Sequence, residues 1–161
     1  MLHAQASSSS QRRVLNIDPG STGVVQLIRL FITGGYVSSY PAGGVYIRSG
    51  TVTFSSCTIT GNTASQAGGV FVGSGSTVSL SSCNITGNTA PTGGGVDVWD
   101  GSTVSLSSCI ITGSTAPRIG GDVYIHVVSG GMVTFSSCTI TGNTANGGGY
   151  GGGVYISGGT V

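Results

Sequence analysis

Groups able to act as nucleophiles, acids or metal ligands are few in this chain, and most recur at regular intervals. Cys57, Cys83, Cys109 and Cys138 stand 26, 26 and 29 residues apart. Metal sites draw ligands from close pairs such as C-x-x-C, and no such pair occurs here. One thiol per 26-residue interval describes a column, not a tetrahedron, so no metal is expected. Thiols stacked at a strand spacing of roughly 4.8 Å fall within the ~4.4–6.8 Å Cα range of disulfides. Parallel Cβ vectors in an in-register stack are poor for bridging, and we expect free thiols filling one corner of the core. Asn62, Asn88 and Asn143 each follow a glycine and close an apolar run. Asparagine tolerates the left-handed turn there, and stacked amides bond to one another in ladders. Asn84-Ile85-Thr86 is the chain's one N-x-[ST] sequon, an acceptor for N-glycosylation if the chain is secreted.

Acid–base chemistry has little to draw on. The chain holds four Asp, two His, five Arg and neither Glu nor Lys. Repeat alignment sets Asp97 and Tyr124 in one outward column with Tyr46, Phe71 and Tyr155, and sets Trp99 and His126 in the next with Arg48. Asp97, Trp99, Tyr124 and His126 therefore make one small exposed patch on which a sugar ring can stack. Asp100 sits in the turn Asp100-Gly101-Ser102, and Asp122 takes a glycine position ahead of its strand. Two carboxylates flanking a scissile bond, as glycoside hydrolysis requires, are not evident. Gly147, Gly149 and Gly152 satisfy G-x-G-x-x-G, but without a following helix the match carries no dinucleotide signal and reads as a turn insertion.

The elements that hold these residues repeat. GGVYIRSGTVTFSSCTITGNTA (43–64) returns from Gly68, from Gly94 and, after a longer start, from Gly120. A weaker early copy lies at 25–35, with Leu30 at the cysteine position and Gly35 at the asparagine position. Each copy contains three short alternating runs separated by Gly, Ser and Asn, the period of half-buried strands. A unit of this size cannot bury its apolar face alone, whereas stacked units can. We expect an all-β parallel β-helix of about five three-strand coils, 25–31 residues each, plus a partial coil. Its inward ladders are Val45/Val70/Val96/Val123/Val154, Ile47/Val72/Val98/Ile125/Ile156, Phe54/Leu80/Leu106/Phe135 and Ile59/Ile85/Ile111/Ile140. Composition agrees: Gly fills 31 of 161 positions, Ser 25 and Thr 19, and charged residues amount to 6 %. A net charge of +1 supplies no field for a phosphate backbone, so nucleic acid is not an expected partner.

The GG[AG][ILV] start (Gly43-Gly44-Val45, Gly68-Gly69-Val70, Gly94-Gly95-Val96) and the apolar-x-x-Asn end (Ile59 with Asn62, Ile85 with Asn88, Ile140 with Asn143) resemble the right-handed β-helix repeats of the pectin-lyase-like superfamily. They are most similar to polymorphic outer-membrane-protein-type repeats and to repeats of large algal and microbial surface proteins. Ile stands here where that family often has Phe, and Ser114 replaces one Asn. The resemblance covers about residues 14–161. It implies a right-handed coil and an extracellular or cell-surface setting, and it raises polysaccharide lyases and hydrolases, whose clefts use clustered Asp with Arg or Lys.

The expected function is structural or adhesive: a rigid rod, or a scaffold piece of a larger assembly. A carbohydrate-binding or carbohydrate-cleaving module is the first alternative. The outward columns Thr51/Thr77/Thr103 and Thr60/Thr86/Thr112/Thr141, which resemble ice-binding β-helices, supply the second. No cofactor is expected. No stretch reaches the ~18–20 apolar residues of a membrane span, and residues 1–13 lack the apolar core of a signal peptide. These residues read as a tail or an arbitrary start. The chain stops mid-coil at Val161, which reads as a fragment or an uncapped end. Ile28 and Phe31 point outward in the early coil, so a protein partner or a second copy is expected there or at the open ends.

Overall fold

Runs as short as Val45–Ile47 have no stability of their own, and each is held by its copy one coil away. In a computed structural model that describes every residue except 120, 128, 129, 147–150 and 159, three all-parallel sheets wind into a solenoid of about five coils. The described residues contain no helix. Gly147 and Gly149, of the glycine-rich motif, and Gly120, at the start of a repeat copy, lie outside the described residues.

The first sheet stacks Leu15–Ile17, Val45–Ile47, Val70–Val72, Val96–Val98, Val123–Ile125 and Val154–Ile156. The second stacks Val24–Ile28, Thr51–Ser55, Thr77–Ser81, Thr103–Ser107 and Met132–Ser136. The third stacks Leu2–His3, Phe31–Thr33, Thr58–Thr60, Asn84–Thr86, Ile110–Thr112 and Thr139–Thr141. Register places Val45 on Val70, Val70 on Val96, Phe54 on Leu80 and Ile59 on Ile85. Like thus packs on like, and branched and aromatic side chains interlock at the density of an organic crystal. The interior ladders are essentially shut off from water from Ile32 to Val133. The early copy follows the same register, with Val25 on Val52 and Leu27 on Phe54.

Residues 1–13, read from the sequence as a tail, lie on the solenoid. Leu2 pairs in parallel with Ile32, Arg12 bridges Tyr36, and the Arg13 guanidinium sits 4.7 Å above the Tyr46 ring. A small two-stranded sheet, Tyr36–Pro41 with Thr63–Gln66, widens one corner of the coil.

Two corners repeat in every full coil. At the first, the second serine of each Ser-Ser-Cys is left-handed: Ser56, Ser82, Ser108 and Ser137 have φ of 54°, 53°, 54° and 54°. At the second, Gly61, Gly87, Gly113 and Gly142 take φ of 64°, 60°, 66° and 65°. Sequence reading assigned that left-handed turn to the asparagine. It falls on the preceding glycine, which has no Cβ to clash, and the asparagine is freed to turn its amide inward.

Candidate functional site

The outward face of the first sheet gathers Tyr46, Phe71, Trp99, Tyr124 and Tyr155, with His126. Tyr46, Phe71, Asp97, Tyr124 and Tyr155 occupy one column in register. A parallel column one step past the strand ends carries Arg48, Gly73, Trp99 and His126, each joined by its amide to the preceding coil. The rings pack on one another along the axis. Tyr46 stacks on Phe71 at 5.3 Å, Phe71 meets Trp99 at 5.9 Å, and Trp99 meets His126 at 5.6 Å. His126 then stacks on Tyr124 at 6.1 Å, and Tyr124 on Tyr155 at 5.5 Å. Where Asp97 interrupts the ring column, the stack detours through Trp99 and His126.

Asp97, Trp99, Tyr124 and His126 come together as expected from the alignment, but the expected exposed patch is not there. Asp97 is 0 % exposed. Gly93 lies against it: a Cβ there would stand 3.2 Å from the Asp97 Cβ and 3.1 Å from the Tyr124 Cβ. Burial drives the Asp97 carboxyl well above its ordinary range. The Trp99 indole N–H works against that rise without reaching hydrogen-bond geometry, so both Asp97 oxygens and Trp99 Nε1 lack a hydrogen-bond partner. The same enclosure raises the Tyr124 phenol, first through burial and then through the nearby Asp97 and Tyr155. Trp99, Tyr124 and His126 are half-buried. Tyr46 and Phe71, and Tyr124 with His126 and Tyr155, stack face to face, whereas Trp99 meets Phe71 and His126 at tilts of 41° and 53°.

Asp122, the other buried acid, solves a packing problem. In the regular coils the asparagine side chain packs on a corner glycine; a Cβ on Gly44 would stand 3.1 Å from Asn62 Nδ2, and one on Gly69 3.1 Å from Asn88 Nδ2. Asn88 Oδ1 accepts from the Asn62 backbone N–H and from Asn62 Nδ2, both at 3.1 Å, while its own Nδ2 donates to Ile59 O at 2.9 Å. This ladder breaks at Ser114, whose side chain is too short to continue it. Asp122 replaces the glycine of the next coil and reaches back, its Oδ1 lying where a Cβ on Gly95 would be. The carboxyl is 0 % exposed, and neither its oxygens nor Ser114 Oγ has a full hydrogen bond. Burial pushes Asp122 up to about 7, with the Ser114 hydroxyl and the Gly95 amide restraining the rise. Asn143 therefore has no amide above it. It keeps the other two bonds of the pattern, donating to Ile111 O and accepting from the Ser114 N–H, as Asn88 does with Ile59 O and the Asn62 N–H.

The four cysteines are free and stacked. Each thiol points at a backbone carbonyl, as Cys57 does at Leu27 O (3.2 Å) and Cys109 at Leu80 O (3.4 Å). Contact with the Cys109 thiol, then burial, raises the Cys83 thiol far above its usual value. Among the described residues no cluster of three or more His, Cys, Asp or Glu is placed to hold a metal.

The second and third sheets present a different exterior. Their outward strand positions carry no Arg or Asp, only Thr and Ser with scattered larger residues. Thr33, Thr60, Thr86 and Thr112 form a row in register, in which Thr86 and Thr60 share a hydroxyl hydrogen bond of 3.0 Å. The row beside it is mixed: Phe31, Thr58, Asn84, Ile110 and Thr139. Ile28 and Phe31 are exposed, at 57 % and 41 %. Asn84 is exposed as well. At the N-terminal end of the interior, a cup of about 350 Å³ is lined by Leu15, Ile17, Val25 and Leu27 with Asn16, Asp18 and Pro19.

Alignment of the copies was enough to find the ring column. It missed Arg13 and the turn at Gly93, because neither belongs to the repeat. A family profile described as "right handed beta helix region" matches residues 22–161. Searches of curated proteins and of solved structures found no match to the chain.

Proposed function

Since the chain belongs to the family of right-handed β-helix regions, we propose that it works as a rigid, non-catalytic structural or adhesive rod in a cell-surface or extracellular assembly. The carrying observation is the enclosure of Asp97. Among the described residues, the place where acid, imidazole and aromatic side chains converge is packed on itself, with Asp97 enclosed beneath Gly93. What remains outside is two uncharged hydroxyl-rich faces, suited to lateral packing in a larger assembly. Partner contact is assigned to the exposed Ile28 and Phe31 in the early coil, an apolar pair of the kind that marks interaction surfaces. The carbohydrate alternative would have to use ring edges. The ice-binding alternative would rest on a single uniform threonine row.

A rod built of interchangeable coils can lose one. Thr63 and Thr89 are bridged in register, so deleting residues 63–88 joins Asn62 to Thr89 at an equivalent point. In small-angle X-ray scattering, the shortened chain is expected to keep its cross-section and lose about 4.8 Å of length, one rung of parallel strands. A changed cross-section, or a chain that no longer unfolds cooperatively, would count against the rod.

A further inference from the structure

We propose that Asn84 carries an N-linked glycan, added before its coil docks and lying over Ile110 on the third sheet. The site rests on the extracellular setting proposed above. Three observations bear on it. Asn84 opens the sequon Asn84-Ile85-Thr86 on an outward, exposed strand position. The corner asparagines Asn62 and Asn88, in a different column, are fully buried and tied into coil-to-coil hydrogen bonds, whereas Asn84 stands in register with Thr58 and Ile110. On the same face, Ile110 stands directly in register with Asn84 and is 46 % exposed.

The strand geometry fixes the timing. Ile85 is 0 % exposed in the core, so a transferase that must grip all three sequon residues meets them only while the strand is undocked. The step forms the bond from sugar C1 to Asn84 Nδ2 and breaks the bond from C1 to the phosphate oxygen of an oligosaccharide borne on a lipid pyrophosphate. Asn84 Nδ2 gives up a proton, and the lipid pyrophosphate leaves. Once the coil is stacked, neighbouring outward residues lie roughly 4.8 Å away, so the first sugar reaches Ile110 and covers methyl groups that otherwise face water.

The test is expression of the full chain behind a eukaryotic secretion leader. The secreted protein is expected to carry one glycan, removed by peptide-N-glycosidase with conversion of residue 84 to Asp. Asn84→Thr, which installs the residue found at 58 and 139, should secrete as a folded chain without the glycan, and Thr86→Ser should keep it. Nuclear Overhauser contacts from the first sugar to the Ile110 methyls are expected. A folded, secreted wild-type chain without glycan overturns the site and leaves the rod reading standing. A glycan without contacts to Ile110 overturns the covering role. Enzymatic addition to the purified folded protein, at the rate seen for the unfolded chain, overturns the timing.

Discussion

Asp122→Asn is expected to make the protein more stable at pH 8 while leaving its stability at pH 4 nearly unchanged. The folded-state pKa of Asp122 is about 7, against roughly 3.9 for an unfolded Asp. Below pH 4 the carboxyl is neutral in both states and its burial costs little. As pH rises from 4 to 7 the unfolded chain gives up the proton first, so the unfolded state binds fewer protons and stability falls. Above pH 7 the loss is complete. Three pKa units correspond to about 4 kcal/mol. Asp97, raised well above its ordinary value by its own burial, adds a slope of the same sign. Urea denaturation at pH 4.5 and pH 8 measures the effect: wild type should weaken on going to pH 8, and Asp122→Asn should weaken less. Stability that is flat or rises over this range in wild type would contradict the buried placement of both acids. The repair of the ladder makes a companion case. Ser114→Asn or Asp122→Gly alone should destabilise by crowding or by leaving a hole, whereas together they rebuild the arrangement of Asn62 with Gly44, giving strong coupling in a double-mutant cycle.

Asn88→Ala should be the most damaging conservative truncation at the corners. Asn88 Oδ1 accepts two hydrogen bonds from Asn62 and its Nδ2 donates to Ile59 O, all without water. Alanine leaves the Asn62 backbone N–H buried and unpaired and takes one bond from Ile59 O, at about 1–3 kcal/mol for each orphaned group. Together with the void, the expected loss is on the order of 3–4 kcal/mol. Asn84→Ala, in the same coil but exposed, should change stability by less than about 0.5 kcal/mol. Thermal unfolding of the two variants side by side separates a buried ladder from scattered polar surface. Equal shifts would refute the ladder.

The ladders could be read from the sequence because the pattern is spelled out several times, and a column of like residues has one self-consistent register. Val45 on Val70 and Ile59 on Ile85 needed no knowledge of the turns. What lay beyond reach was the work of residues outside the repeat. Alignment puts Asp97 on the outside of the strand, and it is outside; the close approach of Gly93, which belongs to the connecting turn, shows that outside is also buried. Ser114 and Asp122 were each visible as a departure. Their pairing was not, because it depends on Asp122 reaching back to the coil before its own. The left-handed Ser56, Ser82, Ser108 and Ser137 defy the usual preference for Gly or Asn at such positions. Identical corners stacked on one another hold them there, a tertiary cause that local propensity cannot express.

If the rod reading is right, the convergence of Asp97, Trp99, Tyr124 and His126 is packing and performs no reaction. Incubating the protein with acidic and neutral polysaccharides, and following new reducing ends and unsaturated products, tests this directly. Wild type, Asp97→Asn and His126→Ala are expected to be indistinguishable from buffer. Product released by wild type and lost in either variant would show that the enclosure opens and that the site is catalytic.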